Sequence, residues 1–264
     1  PWSGLQEDIE SAFLIDGVTS IPDRAFFNCK RLKTVQIPKS VTSIGDKAFA
    51  YCKNLTSITI PDSVEIIGNC AFCGCSFSSV KIPKSVVSIS GNLFIGCENL
   101  EEIDVSENPN FFFDNGVLMD KEMTQIIYCD PYKSGDYSIP NTVTTICTGA
   151  FRGCQKLSSF SIPDSVTSIG DEAFAGCNRL WSITIPNSVV SIGSRVFKYC
   201  IKLKMIKVPN SVKEIGDEAF DHCCQMESIT IPGSVETLGA NLFADCENLS
   251  EVTVAGEGEN IRMV

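Results

Sequence analysis

Three thiols in "CAFCGC", Cys70, Cys73 and Cys75, are the densest chemistry in the chain, and the first two have the C-x-x-C spacing of a redox pair or half a zinc site. A tetrahedral zinc centre takes four ligands, and no second C-x-x-C stands elsewhere to complete one. The one histidine, His222, lies beside Cys223 and Cys224, but residues adjacent in sequence here point in different directions, so a nucleophile and base do not assemble from them. Glu101, Glu102 and Asp104 form a short acidic cluster with no sign of a raised pKa or a cleft, and no glycine-rich phosphate loop occurs. These features argue against an enzyme, and no cofactor or metal is expected. A thiol or zinc site at Cys70, Cys73 and Cys75 is the weakest of the readings kept open.

The elements that carry these residues are repeats. Cys29, Cys52, Cys75, Cys97, Cys154, Cys177, Cys200, Cys223 and Cys246 recur at one place in a unit of about 23 residues. Pro163 returns as Pro186, Pro209 and Pro232, and Phe174 as Phe197, Phe220 and Phe243. The interval shortens to 22 between Cys75 and Cys97, and that between Cys97 and Cys154 exceeds two periods by 11 residues, which marks an insertion. A unit this short cannot bury its own apolar face, so stacked neighbours must supply the core.

Within a unit, "LTSITIP" alternates apolar and small polar residues and stops at a proline, as a strand does. "SVTSIGDEAFAGC" predicts an extended stretch, a turn at Gly170, and a short helical turn capped by Asp171 that buries Ala173 and Phe174. Parallel strands are therefore expected on one face and helical turns on the other. The Cys147 thiol stands where sister units hold the turn glycine, and Cys70 and Cys73 read as drift on the outer turn. The ladder cysteines are expected to be buried free thiols, because equivalent side chains in a stack point the same way and their Cβ atoms stay too far apart to bridge.

These units, such as "LTSITIPDSVEIIGNCAFCGC" and "LSSFSIPDSVTSIGDEAFAGC", resemble the BspA-like type of leucine-rich repeat over roughly residues 18–254. The resemblance implies an α/β solenoid, a leucine-rich-repeat horseshoe with a parallel β-sheet on one face, short helical turns on the other, and a β-hairpin insertion. A single leucine-rich-repeat domain would span 1–264: an N-terminal cap at 1–17, repeats at 18–105, the hairpin insertion at 106–133, repeats at 134–254, and a C-terminal tail or cap at 255–264. In the insertion, Val117–Met119 and Gln125–Tyr128 are the expected hairpin strands, with Phe111, Phe112 and Phe113 packed under them. The chain begins without Met or a leader, which leaves compartment open.

Family likeness also implies a surface-displayed or secreted adhesin that binds host or neighbouring-cell proteins, including extracellular-matrix proteins. The alternative is an intracellular (cytoplasmic) leucine-rich-repeat scaffold, because free thiols are usual in reducing compartments. With net charge −11 and a pI of about 4.6, nucleic acid is not an expected partner. Apolar residues make up 44% of the chain, but no run is long enough to span a bilayer. The sheet face offers Ser and Thr almost throughout. The exceptions are the candidate binding residues: the aromatic and basic group Trp181, Lys204, Met205 and Lys207, with Glu102, Asp104 and Lys81 at the same strand positions elsewhere.

Overall fold

The computed structural model describes residues 8–255 and 262–263. Residues 1–7 of the expected N-terminal cap, and 256–261 and 264 of the expected tail, lie outside the described residues. The described chain forms two compact units, 1–121 and 122–264, each a β-solenoid of stacked parallel coils.

In the first unit the unbroken ladder is built from two-residue strands, Ser20–Ile21, Ser43–Ile44, Ile66–Ile67 and Ser88–Ile89, all parallel. The longer strands form separate pairs, Ser11–Phe13 with Thr34–Gln36 and Ser79–Lys81 with Glu102–Asp104. The second unit repeats the plan. Its short ladder runs from Gln125–Cys129 through Thr145–Ile146, Ser168–Ile169, Ser191–Ile192, Glu214–Ile215 and Thr237–Leu238 to Arg262–Met263. Its longer strands pair as Gly135–Ser138 with Leu157–Ser161, Ser182–Thr184 with Met205–Lys207, and Ser228–Pro232 with Glu251–Ala255. Where a coil has two strands they are joined by a turn at the repeating proline, where Val166 donates its N–H to the carbonyl of Pro163 and Val189 to that of Pro186; the expected strand in "LTSITIP" does not form, and that coil contributes only Ile66–Ile67 to a ladder.

No helix forms among the described residues, which corrects the expected helical turns. The hydrogen bonds show why. In "DEAFAGC" the N–H groups of Glu172, Phe174 and Gly176 donate to carbonyls of the next coil, those of Ser194, Val196 and Lys198, at 2.8, 3.0 and 2.7 Å. The alternate N–H groups, on Ala173, Ala175 and Cys177, donate three residues back within their own coil. A helix would direct every N–H along its own axis and leave none for the neighbour. Alternation requires left-handed backbone at two places four residues apart, Glu172 (φ 57°) and Gly176 (φ 73°), repeated as Arg195 and Tyr199 and as Glu218 and His222.

Asp171 is therefore no helix cap. Its Oδ1 accepts the N–H of Ser194 in the next coil at 2.8 Å, as Asp23 serves Asp46, Asp46 serves Asn69, and Asp217 serves Ala240. A serine row does the same on another edge, with the Ser188 hydroxyl donating to the carbonyl of Val166 and Ser211 to that of Val189. The core is a file of stacked rings: Phe26, Phe49, Phe72 and Phe94 in one unit, and Phe151, Phe174, Phe197, Phe220 and Phe243 in the other, with centroids 5.2 to 6.0 Å apart.

The insertion does contain a hairpin, but one register earlier than the apolar runs suggest. Phe111–Asp114 pairs antiparallel with Val117–Asp120 around Asn115 and Gly116, both with positive φ, which is the signature turn of a two-residue hairpin. Phe111 is thus part of the hairpin and buried, while Phe112 is exposed. Gln125–Cys129 belongs instead to the parallel ladder of the second unit.

Candidate binding face and the cysteine ladder

From Cys52 onward, each ladder thiol is held by a carbonyl of the preceding coil. The Cys200 thiol donates to the carbonyl of Phe174 at 3.1 Å, Cys52 to that of Phe26 at 3.1 Å, and Cys223 to that of Phe197 at 3.3 Å. Burial pushes the thiols of Cys52, Cys97 and Cys200 up to about 12 and raises those of Cys75, Cys177 and Cys223 as well. Thiols this reluctant to ionise are poor nucleophiles and poor metal ligands. Cys70 and Cys73 are joined by a disulfide with Cα atoms 4.9 Å apart, and the Cys75 thiol donates to the carbonyl of Phe49 at 3.2 Å. The three cysteines of "CAFCGC" therefore do not form a metal set.

His222 belongs to a charged row that sequence reading misses. Its Nδ1 lies 2.5 Å from Oδ1 of Asp221, and its Nε2 lies 3.5 Å from Oδ2 of Asp245. Lys198 binds the other Asp221 oxygen at 2.6 Å and also Glu218, which pairs with Arg195. Bonds from Arg195 and then Lys198 pull the Glu218 carboxyl down to about 2. Burial alone would raise the Asp221 carboxyl, and Lys198 with His222 outweighs it. Asp221, His222 and Asp245 are the one group of metal-ligand type among the described residues. There the two ring nitrogens face different carboxylates and Lys198 already holds Asp221, so the arrangement is an ion-pair bridge between coils. The signal in the sequence is opposite charge at matching repeat positions, Glu172, Arg195 and Glu218 at one and Lys198 and Asp221 at another, which become neighbours once the coils are stacked.

The four residues expected to bind together in the second unit are brought together. Ser182 is the register partner of Met205, and Thr184 of Lys207. The carbonyl of Trp181 accepts the N–H of Lys204 at 2.9 Å, which sets Trp181 and Lys204 side by side where their strands begin. Trp181 is 52% exposed and Met205 60% exposed. Ile183 and Leu180 are buried beneath them, so the patch sits on a rigid floor. Lys81, Glu102 and Asp104 form a separate group in the first unit. Lys81 is the register partner of Asp104 and pairs with Glu107 at 3.0 Å. The Glu107 bond raises the Lys81 amine, and bonds from Ser106 lower the Asp104 carboxyl. The one cation of this group is paired with a carboxylate and the group is acidic overall, whereas the lysines of the Trp181 group make no ion pair among the described residues. No helix among the described residues is long and apolar enough to cross a membrane.

A stack of parallel 23-residue coils with a phenylalanine file and an exposed strand face defines a leucine-rich-repeat protein. The chain belongs to the family of the BspA type leucine rich repeat region, whose model matches residues 19–134 and 127–250. It is similar to a leucine-rich repeat protein of Eubacterium ventriosum, at 31% identity and TM-score 0.78, covering 96% of this chain and 74% of that one. It is also similar to a leucine rich cell surface protein of Faecalibacterium prausnitzii, at 31% identity and TM-score 0.71, covering 95% of this chain and spanning only 61% of that one. The pneumococcal vaccine antigen PcpA aligns at 25% identity and TM-score 0.72, over 93% of this chain and 68% of its own. No curated protein matches the chain.

Proposed function

We propose that the chain is a non-catalytic protein-interaction module, displayed on a surface or secreted, that binds host or neighbouring-cell proteins through the exposed strand face around Trp181 and Met205. The observation that carries this reading is the patch itself. Two large apolar side chains stand in water above buried Ile183 and Leu180, on a strand face rich in Ser and Thr. Exposed aromatic anchors of this kind dominate the energetics of protein interfaces. Two of the similar structures, a leucine rich cell surface protein and a vaccine antigen, support surface display. The Cys70–Cys73 disulfide supports an oxidising compartment over the intracellular scaffold.

Binding of the intact chain to immobilised extracellular-matrix proteins and to cell surfaces tests the reading, repeated with Trp181→Ala and Thr184→Arg. Saturable binding that either variant weakens tenfold or more supports it; absence of binding to every surface, or binding indifferent to both variants, overturns it.

A further inference from the structure

A cationic stripe runs through the patch on a chain whose net charge is −11. Arg179 and Lys202 occupy the same place in successive coils, two residues before Trp181 and Lys204, and Lys207 lies at the far end of the same strand as Met205. Lys156 continues the row one coil earlier, set over the ring of Tyr132 at 5.3 Å. The side chains of Arg179, Lys202, Lys204 and Lys207 are exposed and make no ion pair among the described residues. Arg152, Arg195, Lys198 and Lys213 of the same unit all pair with carboxylates. The acidic side chains nearest the stripe in register stand at its margins. Asp136, one coil before, accepts bonds from the hydroxyls of Ser158 and Ser159, and Glu227 follows Lys204 in the next coil.

Unpaired cations held a coil apart repel one another. Strands of adjacent coils lie about 4.8 Å apart, less than the Debye length of about 8 Å in physiological salt, so the charges that Arg179 and Lys202 carry from equivalent places act on one another. A partner that brings negative charge relieves that repulsion, and one that also brings an apolar side chain covers Trp181 and Met205. Resting on the reading proposed above, we infer that the surface made by Arg179, Trp181, Lys202, Lys204, Met205 and Lys207 receives an acidic polypeptide segment, whose carboxylates meet the cations while an apolar side chain seats between Trp181 and Met205. The patch favours a polypeptide over an acidic glycan. Trp181 and the thioether of Met205 on the neighbouring strand are both exposed, and such a pair of large apolar groups suits an apolar side chain.

Calorimetric titration of the intact chain with poly-L-glutamate, poly-L-lysine and heparin, at low and at elevated salt, tests this inference. The expected result is saturable poly-L-glutamate binding that weakens at least tenfold between about 50 and 300 mM salt. It should be lost in a Lys204→Glu/Lys207→Glu variant whose melting temperature is unchanged, and poly-L-lysine should not bind. Absent poly-L-glutamate binding, binding that survives the charge reversal, or preferential binding of heparin would each overturn the inference. If the chain still binds matrix or cell-surface protein in a manner sensitive to Trp181→Ala but not to the charge reversal, the acidic partner falls and the interaction module stands. If no protein binds at all, the module reading falls with it.

Discussion

At the scale of the residue, glycine carries the tightest constraint in the coil. A Cβ on Gly216 would lie 2.5 Å from the backbone nitrogen of Ser194 and 2.7 Å from the carbonyl carbon of Gly193, atoms of the preceding coil that cannot yield without unstacking it. Gly153 is constrained differently: its φ is +77°, yet nothing lies within 4 Å of the Cβ position. Gly216→Ala should therefore lower stability by more than about 3 kcal/mol, whereas Gly153→Ala should cost about 1 kcal/mol, the ordinary left-handed penalty. Thermal or urea unfolding of the two variants checks the order, and equal losses would show that the coil spacing is softer than these distances imply. Gly153, Gly176, Asn28, Asp245, His222 and Tyr199 share one repeat position, and Gly, Asn and Asp there are a left-handed signature in the sequence itself. The Ala-Phe pattern beside it reads as an amphipathic turn and hides that signal, because propensity carries no information about bonds to a neighbouring coil.

At the scale of the element, the coil is a closed circuit whose apolar filling is shared with its neighbours. Phe174 is fully buried, with ring centroids of Phe151 and Phe197 at 5.3 and 5.7 Å and that of Phe160, in a T-shaped arrangement, at 4.9 Å. Phe174→Ala should cost on the order of 3–5 kcal/mol, because the rings on either side cannot move inward to fill the gap while their own backbones are tied coil to coil. Thr184→Ala, on the exposed face, should leave the melting temperature within about a degree. Because the return turns pair laterally and are not helical, far-ultraviolet circular dichroism should show a β spectrum without the double minimum of helix; a helical spectrum would contradict the alternating hydrogen bonds. The strands, the turn proline and the phenylalanine file were legible as periodicity, since each inward position repeats every 23 residues. The hairpin register was not, because Val117–Met119 and Gln125–Tyr128 are equally apolar and only the Asn115-Gly116 pair, easily passed over, fixes the turn. The Trp181 patch could be assembled from register alone, whereas the ion-pair row through His222 could not, as it depends on which side chains reach across coils.

At the scale of the whole molecule, the cysteine ladder makes stability a function of alkaline pH. Below about pH 9 the ladder thiols are protonated in both folded and unfolded chains and contribute no pH dependence. As pH rises further, the unfolded chain ionises its cysteines near the ordinary value of 9.0 while folded Cys52, Cys97 and Cys200 keep their protons to about 12. The folded state then binds more protons than the unfolded one, so stability falls as pH rises, by up to about 1.4 kcal/mol per pH unit for each such thiol. In the second unit Cys154, Cys177, Cys200, Cys223 and Cys246 are all shifted the same way, so their losses add. Urea midpoints measured from pH 8 to pH 11 should fall steeply above pH 9. Cys200→Ala should start lower, having lost its bond to Phe174, yet decline less steeply by about one thiol's share. Ionisation of tyrosine and lysine is common to both proteins and cancels in that comparison. A parallel decline in wild type and variant would mean that Cys200 ionises as readily folded as unfolded, and that the ladder is open to solvent where the structure closes it.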